Sequence, residues 1–354
     1  MELRECVMRR VCLTAIPLFL LLGCEAKQDH SFMSVGESSE LGPGGSSLSP
    51  WGDCLENAPV GRISDAVMQV APPPGAQNVS VHTPMMLFME EGRDLSHIDA
   101  FDVTSNGWGI DGDLMEIERD GGAVVGFAPL DPYEVAGEVV IEMEIDGEVS
   151  DWRFHTGPYE DAVAGNPNLS FENPATAQGI ECEYTYFTDN FIGFGDVAFT
   201  DAEAGETSAT DGVSRLLMST GEVLGNASVR GTTSFVTSQP LPMVSAPELL
   251  LDFRFISEAS YEDAGGPGDS FLILAHGEQG MVFEEIASAD MIVEDEMVDV
   301  EFPGLLRPMA TEWATHVVSG FNQVGANATI SLFVTDVGST TRTSAVSVDN
   351  LRVE

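Results

Sequence analysis

Short stretches of alternating apolar and polar residues, separated by turn residues, make up the chain from Ala71 onward. The clearest alternation covers residues 139–146, where every second residue is apolar: Val139, Ile141, Met143 and Ile145. A period of two predicts a strand with one buried face and one mostly solvent-exposed face. Apolar stripes with helical spacing are absent over any useful length. We therefore predict an all-β protein built of antiparallel sandwiches.

Two blocks of such strands are expected. The first block covers 71–158 and contains NVSVHTPMMLFME, AFDVTSNG, GAVVGFAP and EVVIEMEIDGEVSDWRFHTG. The second block covers 168–354 and contains NLSFEN, VSRLLMST, GTTSFVTSQ, ELLLDFRFIS, GDSFLILAHG, ATISLFVTDVG and SAVSVDNLRVE. In ELLLDFRFIS, alternation places Asp252 and Arg254 on the face opposite Leu251, Phe253 and Phe255. The segment YEDAVAGNP separates the two blocks and is expected to link two domains.

The first residues have the layout of an export signal. Arginines precede an apolar run from Val11 to Gly23, which is shorter than the roughly 20 residues of a membrane-spanning helix. The end of the run, Leu21-Leu22-Gly23-Cys24, resembles the bacterial lipobox. This resemblance implies that residues 1–23 are a cleaved lipoprotein signal peptide and that Cys24 carries lipid, which holds the protein on a membrane. The alternative is an ordinary secreted protein with an accidental cysteine.

Residues 24–70 are interpreted as a lipid-anchored flexible linker. They are rich in Ser, Gly and Glu up to about Pro50 and show no apolar periodicity there. The stretch SDAVMQV, at the end of this region, could open a strand.

The charge of the chain excludes one class of partner. Asp and Glu number 58 against 14 Lys and Arg, for a formal net charge of −44, and Lys27 is the only lysine. Nucleic-acid affinity comes largely from cations that replace condensed counterions, so nucleic acid is not the expected partner.

Two cysteines remain once the signal peptide and the lipidation site are set aside. Cys54 and Cys182 could form a disulfide in an oxidising compartment, or they could be two separate buried thiols.

The first block resembles the SbsA-type bacterial Ig-like domain. The resemblance rests on APPPGAQNVSVHTPMMLFME, on VVGFAPLDPYEVAGEVVIEMEIDG and on the closing WRFHTGP. Its signature positions are Pro72, Gly75, Ala76, Val79, Pro84, Phe88, Phe127, Pro129, Phe154, Thr156 and Gly157. The acidic DGEVSDW departs from the pattern, because the family usually has a longer loop before the last strand. The resemblance implies a spacer domain on a bacterial surface and transfers no catalytic residue.

The second block resembles the jelly-roll modules of carbohydrate-binding and choice-of-anchor surface proteins. Its first strand contains Phe171-Glu172-Asn173 and its last strand contains Val348-Asp349-Asn350. The resemblance implies a structural Ca²⁺ held by Glu172 and Asp349, with backbone carbonyls and water completing the coordination. The alternative is that both carboxylates are exposed turn residues.

Aromatic residues gather in the segment YTYFTDNFIGFGD of the second block. Exposed rings can stack on sugar rings, and sugar-binding jelly rolls use such platforms. Tyr184, Tyr186 and Trp313 are therefore the candidate ligand-binding residues, with core packing as the competing interpretation.

Catalysis is not expected. Ser270 follows Gly-Asp as in the GDSL esterases, but it leads into a strand, and His316 lacks the Asp-x-x-His context of those enzymes. The six histidines are scattered singly, and no zinc or phosphate-binding motif occurs.

The sequence as a whole predicts a non-enzymatic, lipid-anchored protein of a bacterial cell envelope, on the outer membrane or the cell surface. In this interpretation an Ig-like spacer presents a jelly-roll module for adhesion or ligand binding. The alternative is a carbohydrate-binding lipoprotein of a polysaccharide system, and a hydrolase is a third reading.

Overall fold

The structure is a computed structural model that describes residues 61–119, 122–157, 171, 191–201, 214–220, 233–238, 240–242, 248–258, 269–289, 298–299, 308–336 and 343–354. All of these residues belong to one compact unit. Their regular elements are antiparallel strands and two short 3-10 helices, Leu95–His97 and Phe321–Gln323. The prediction of an all-β fold made of antiparallel sandwiches is confirmed.

The first sandwich consists of two four-stranded sheets. Sheet 1 contains β1 (Val67–Ala71), β2 (Met85–Met89), β5 (Gly112–Ile117) and β6 (Val124–Pro129), in the order β1-β2-β6-β5. Sheet 2 contains β3 (Ile98–Ser105), β4 (Trp108–Gly109), β7 (Glu138–Ile145) and β8 (Glu148–His155), in the order β4-β3-β7-β8. These orders correspond to the A-B-E-D and C′-C-F-G sheets of immunoglobulin-like sandwiches. Strand β1 begins at Val67, within the segment that the sequence analysis assigned to the linker.

Alternation along β7 and β8 explains how sheet 2 covers its core. Val139, Ile141, Met143 and Ile145 of β7 are buried, and its outward residue Glu142 is exposed. The hairpin turn between the strands uses Asp146 and Gly147 at φ 49° and 81°. Two-residue turns with positive φ at both positions match the right-handed twist of paired strands, and Asp-Gly is a favoured pair for them.

The closing Phe-x-Thr-Gly of the first block fastens β8 to the loop before β7. Phe154 is completely buried, and its ring lies 5.6 Å from the ring of Tyr133 in an edge-to-face arrangement. The Thr156 hydroxyl donates to the carbonyl oxygen of Glu134 at 2.6 Å and accepts from the backbone N–H of Gly137 at 2.8 Å. These two bonds satisfy backbone groups that the loop would otherwise leave unpaired.

The second sandwich also consists of two sheets. Sheet 3 contains β9 (Phe191–Phe194), β12 (Thr233–Ser238), β13 (Leu241–Pro242), β15 (Ser270–Gly277), β16 (Gly280–Ser288) and β20 (Asn327–Thr335). Sheet 4 contains β10 (Asp196–Asp201), β11 (Ser214–Ser219), β14 (Leu249–Ser257), β17 (Val298–Asp299), β18 (Met309–Ala310), β19 (Ala314–Val318) and β21 (Ser344–Val353). The main paths are β16-β15-β20-β12-β9 and β10-β11-β21-β14-β18-β17, with β13 paired to β20 and β19 to β14.

The second core lies between sheets 3 and 4. Leu251, Phe253 and Phe255 of β14 point into it, as the alternation of ELLLDFRFIS predicts. Phe171 is completely buried in the same core, 5.5 Å from the ring of Phe191. The first strand expected from NLSFEN therefore contributes at least this residue to the second sandwich.

The central strands of sheets 1 and 3 are buried on both faces, because the two sandwiches pack against one another. All residues of β2 and β6 are buried, not only alternate ones. The core of the first sandwich continues into sheet 3 through Phe235, Leu272, Leu274, Met281, Phe283 and Phe333. The layers therefore follow the order sheet 2, sheet 1, sheet 3, sheet 4. From the sequence we expect two domains separated by a linker, and the structure adds the contact between them.

Polar side chains cross the contact between sheets 1 and 3. Gln69 of β1 donates to the hydroxyl oxygens of Thr233 and Thr335, the second at 3.0 Å. The Arg119 Nε lies 3.1 Å from Glu285 Oε1, and both side chains are almost wholly buried. Because buried polar groups are costly unless paired, these contacts fix one arrangement of the two sandwiches.

Candidate functional site

The outer face of sheet 4 carries a buried polar cluster centred on Asp252. Its carboxylate accepts from the Thr315 hydroxyl at 2.6 Å, from Asn350 Nδ2 at 3.0 Å and from Arg352 Nη1 at 3.3 Å. Asp252 and Arg254 are each 7% exposed. Alternation along β14 predicted a polar face at Asp252 and Arg254. This face is polar, but the two side chains are buried and not exposed to solvent.

Asp349, one of the two predicted calcium ligands, is the cross-strand partner of Asp252. It is completely buried, and its Oδ1 accepts from the backbone N–H of Asn350 at 2.7 Å. The interpretation of Asp349 as an exposed turn residue is excluded by this burial. A carboxylate removed from water is stable beside cations or hydrogen-bond donors, so its chemistry fits a Ca²⁺ ligand.

The other half of the predicted calcium pair cannot be placed, because Glu172 lies outside the described residues. Among the residues that are described, no group of three or more His, Cys, Asp or Glu side chains is arranged to hold a metal ion. A calcium site at Asp349 would therefore depend on Glu172, on backbone carbonyls and on water.

Of the predicted sugar-binding residues, only Trp313 is described. It lies between β18 and β19 with its side chain half-buried, and its indole nitrogen is buried without a hydrogen-bond partner in the described structure. Sugar stacking needs an open ring face, which a half-buried indole offers only in part. Tyr184 and Tyr186 lie outside the described residues, as do Cys24, Cys54 and Cys182.

Ser270 and His316 are not assembled into a catalytic pair. Ser270 is completely buried, and its hydroxyl donates to Glu285 Oε1 at 2.7 Å, whereas His316 Nε2 lies 2.9 Å from Glu284 Oε2. Glu284 and Glu285 are successive residues of β16, so their side chains point to opposite faces of sheet 3. A nucleophile must also be reachable by its substrate, and Ser270 is not.

One end of the first sandwich carries an exposed apolar surface that we did not predict from the sequence. Trp108 is 75% exposed, Leu130 is 54% exposed and Val135 is 40% exposed. The signal that could have found Trp108 is the preceding Asn106-Gly107, which forms a tight turn with φ of 48° and 81° and so places the tryptophan beside a hairpin tip.

No helix in the described part of the chain has the length and apolar character needed to cross a membrane.

No protein-family model matches the sequence, and no curated protein matches it. A solved structure from work on the promiscuous specificity of carbohydrate-binding modules of the β-sandwich superfamily is similar at a TM-score of 0.29 and 13% sequence identity. The similarity covers 82% of this chain and 97% of that chain. A likeness of this size supports no conclusion about ligand or activity.

Proposed function

We propose that this chain is a non-enzymatic, lipid-anchored protein of a bacterial cell envelope whose two sandwiches act as one rigid unit for adhesion or ligand binding. The observation that carries the proposal is the packing of sheet 1 on sheet 3, which buries the central strands of both on both faces. Two domains that share a core cannot move independently about a linker. The anchored protein would therefore present a surface of fixed shape.

The anchor itself is proposed from the lipobox-like Leu21-Leu22-Gly23-Cys24. We expect the full-length chain, expressed with its own signal in a bacterium, to be found in the membrane fraction with diacylglyceryl on an N-terminal Cys24. The matched variant Cys24→Ser should lose the lipid and leave that fraction. Mass spectrometry of an unmodified N-terminus downstream of Cys24 would refute the lipid anchor.

A structural Ca²⁺ at Glu172 and Asp349 is part of the same proposal. Its support is the complete burial of the Asp349 carboxylate beside Asp252. We expect EDTA to lower the Tm of the protein, added Ca²⁺ to restore it, and Asp349→Asn to abolish the difference. A Tm that does not respond to either reagent would remove calcium from the proposal.

Glycan binding through Tyr184, Tyr186 and Trp313 remains the alternative function. Its support is the aromatic content of the second block. A glycan array probed with the wild-type chain and with a Tyr184→Ala, Tyr186→Ala double variant separates the two functions. Binding that disappears in the double variant would favour the alternative.

A further inference from the structure

The end of the first sandwich carries an apolar surface that is surrounded by carboxylates. We name it the Trp108 surface: it consists of Trp108, Leu130 and Val135 together with Asp111, Asp131 and Glu134. All six residues are exposed. Three of the five exposed large apolar side chains of the described residues lie at this end of the first sandwich. Exposed apolar surface with a polar rim is typical of interaction sites.

Hydrogen bonds from backbone N–H groups hold the parts of this surface together. Ser105, the ladder partner of Trp108, accepts at its hydroxyl from the backbone N–H of Glu134 at 2.9 Å. Asn106, in the turn before Trp108, exchanges two hydrogen bonds with the backbone of Glu138, at 2.8 and 3.0 Å. The hairpin that carries Trp108 is therefore bound to the loop that carries Glu134 and Val135.

The start of the same loop is also held by a hydrogen bond. The backbone N–H of Leu130 donates to the carbonyl oxygen of Asp111 at 2.9 Å. Strand β5 starts just after Asp111 and β6 ends just before Leu130, so both residues lie at the end of the sandwich where the hairpin tip lies. A surface held by its own backbone needs little ordering when a partner binds.

The charged residues of the Trp108 surface itself, Asp111, Asp131 and Glu134, are all carboxylates, and the nearby Arg153 is paired with Glu138 at 3.2 Å. Three of the four arginines within 61–157 form ion pairs with other carboxylates: Arg93 with Asp146, Arg119 with Glu285 and Arg153 with Glu138. The fourth, Arg62, bridges Asp151 through its backbone. No ion pair of Asp111, Asp131 or Glu134 occurs in the described structure, and the whole chain has a formal charge of −44. A partner that binds here must therefore supply positive charge.

We infer that the Trp108 surface docks a basic polypeptide segment of a partner protein, with an arginine or lysine stacked on the indole of Trp108. Tryptophan is the best aromatic partner for a cation, and the surrounding carboxylates complete the neutralisation. The aliphatic side chains of Leu130 and Val135 favour a peptide over a glycan, because sugar rings stack on aromatic faces. The inference is independent of lipid anchoring and adds a partner class to the proposed binding role.

Fluorescence anisotropy with labelled hexapeptides tests this inference on the full mature chain carrying Cys24→Ser. The probe alternates arginine and leucine, and the control peptide replaces each arginine by citrulline. We expect the arginine peptide to bind and Trp108→Ser to weaken binding about tenfold, a loss between those of an exposed and a desolvated cation–π contact. The matched variant Val149→Ser removes another exposed apolar side chain, 55% exposed, on the β7–β8 hairpin, and should bind as the wild type does.

Three outcomes would overturn the inference. Equal binding by Trp108→Ser and wild type would show only diffuse attraction to an acidic protein. Equal binding of the citrulline and arginine peptides would remove the cation from the interaction. Binding of chitohexaose or cellohexaose that depends on Trp108, without binding of the arginine peptide, would assign the surface to glycans instead. Because Trp108 is mostly exposed, an unchanged Tm verifies that the variant folds.

Discussion

At the scale of single residues, burial determines the protonation state of His276, a polar side chain between the two sandwiches. His276 lies on β15 facing sheet 1, is 7% exposed, and has its Nε2 3.3 Å from the carbonyl oxygen of His82. Burial lowers the pKa of His276 from 6.5 to about 4, because the imidazolium would lose its water, and the hydrogen bond to His82 offsets this only in part. The side chain is therefore neutral in the folded protein near pH 7.

The lowered pKa of His276 predicts that the folded protein loses stability in mild acid. In the unfolded chain the imidazole takes up its proton near pH 6.5, whereas in the folded chain it does so only near pH 4. The contribution is thus fully present above pH 6.5 and is lost as the pH falls toward 4. At pH 5 the loss amounts to about 2 kcal/mol.

Chemical denaturation at pH 7.5 and pH 5 measures the effect. His276→Gln keeps a hydrogen-bond donor for the His82 carbonyl but does not titrate, so the variant should lose about 2 kcal/mol less than wild type over this interval. Carboxylates that titrate in the same range contribute equally to both proteins. An identical loss in the two proteins would contradict the assignment to His276.

At the scale of elements, β6 shows how two sheets come close enough to share a core. Gly126 lies in the middle of this strand, and a Cβ added there would lie 3.0 Å from Leu274 Cδ1 and 3.2 Å from Phe283 Cδ1. Both contacts belong to sheet 3. The glycine therefore allows close approach of the second sandwich, although glycine inside a strand usually weakens it.

We predict that Gly126→Val destabilises the protein by about 1–3 kcal/mol, as overpacking of a well-filled core does. The control is Gly109→Val in β4, where an added Cβ meets nothing within 4 Å. This control should change the free energy of unfolding by no more than about 0.5 kcal/mol. Equal stability of the two variants in urea denaturation would show that sheets 1 and 3 are not packed as described.

At the scale of the whole molecule, the shared core and the buried ion pair make the two sandwiches interdependent. Arg119 belongs to the first sandwich, and Glu285 and Ser270 belong to the second. Independent domains on a linker would unfold in separate transitions, whereas domains with a common core unfold together.

Calorimetry should therefore record one transition for both sandwiches. Glu285→Gln keeps an acceptor for the Ser270 hydroxyl but leaves the Arg119 charge uncompensated, so we expect a loss of about 3 kcal/mol with the transition still single. The control Glu138→Gln breaks the half-exposed pair with Arg153 and should cost less than about 1 kcal/mol. Two separate transitions in the wild type would contradict the shared core.

Local sequence patterns were sufficient for much of the fold. The alternation in β7 and β14 identified which residues face the cores, and the Phe-x-Thr-Gly motif marked the end of the first sandwich, where Thr156 ties the chain to Glu134 and Gly137. These features follow from contacts within a strand pair or between neighbouring loops, which leave a periodic trace in the sequence.

The candidate site was predictable only in part. Asp349 stood out because its motif resembles a known calcium position, and the structure adds that it is buried opposite Asp252. Trp108 carries no such motif, and its exposure became visible only when the hairpin and the loop around Glu134 were placed together.

By itself, the sequence determined the class of the fold, the inward residues of its strands and the acidic character of its surface, because each of these depends on local periodicity or composition. Only the tertiary structure decided that sheets 1 and 3 form a common core, that Ser270 is buried against Glu285, and that Trp108 remains in water. The physical reason is that these features depend on contacts between residues far apart in the chain. A strand buried on a second face by another domain differs little in sequence from one buried by its own.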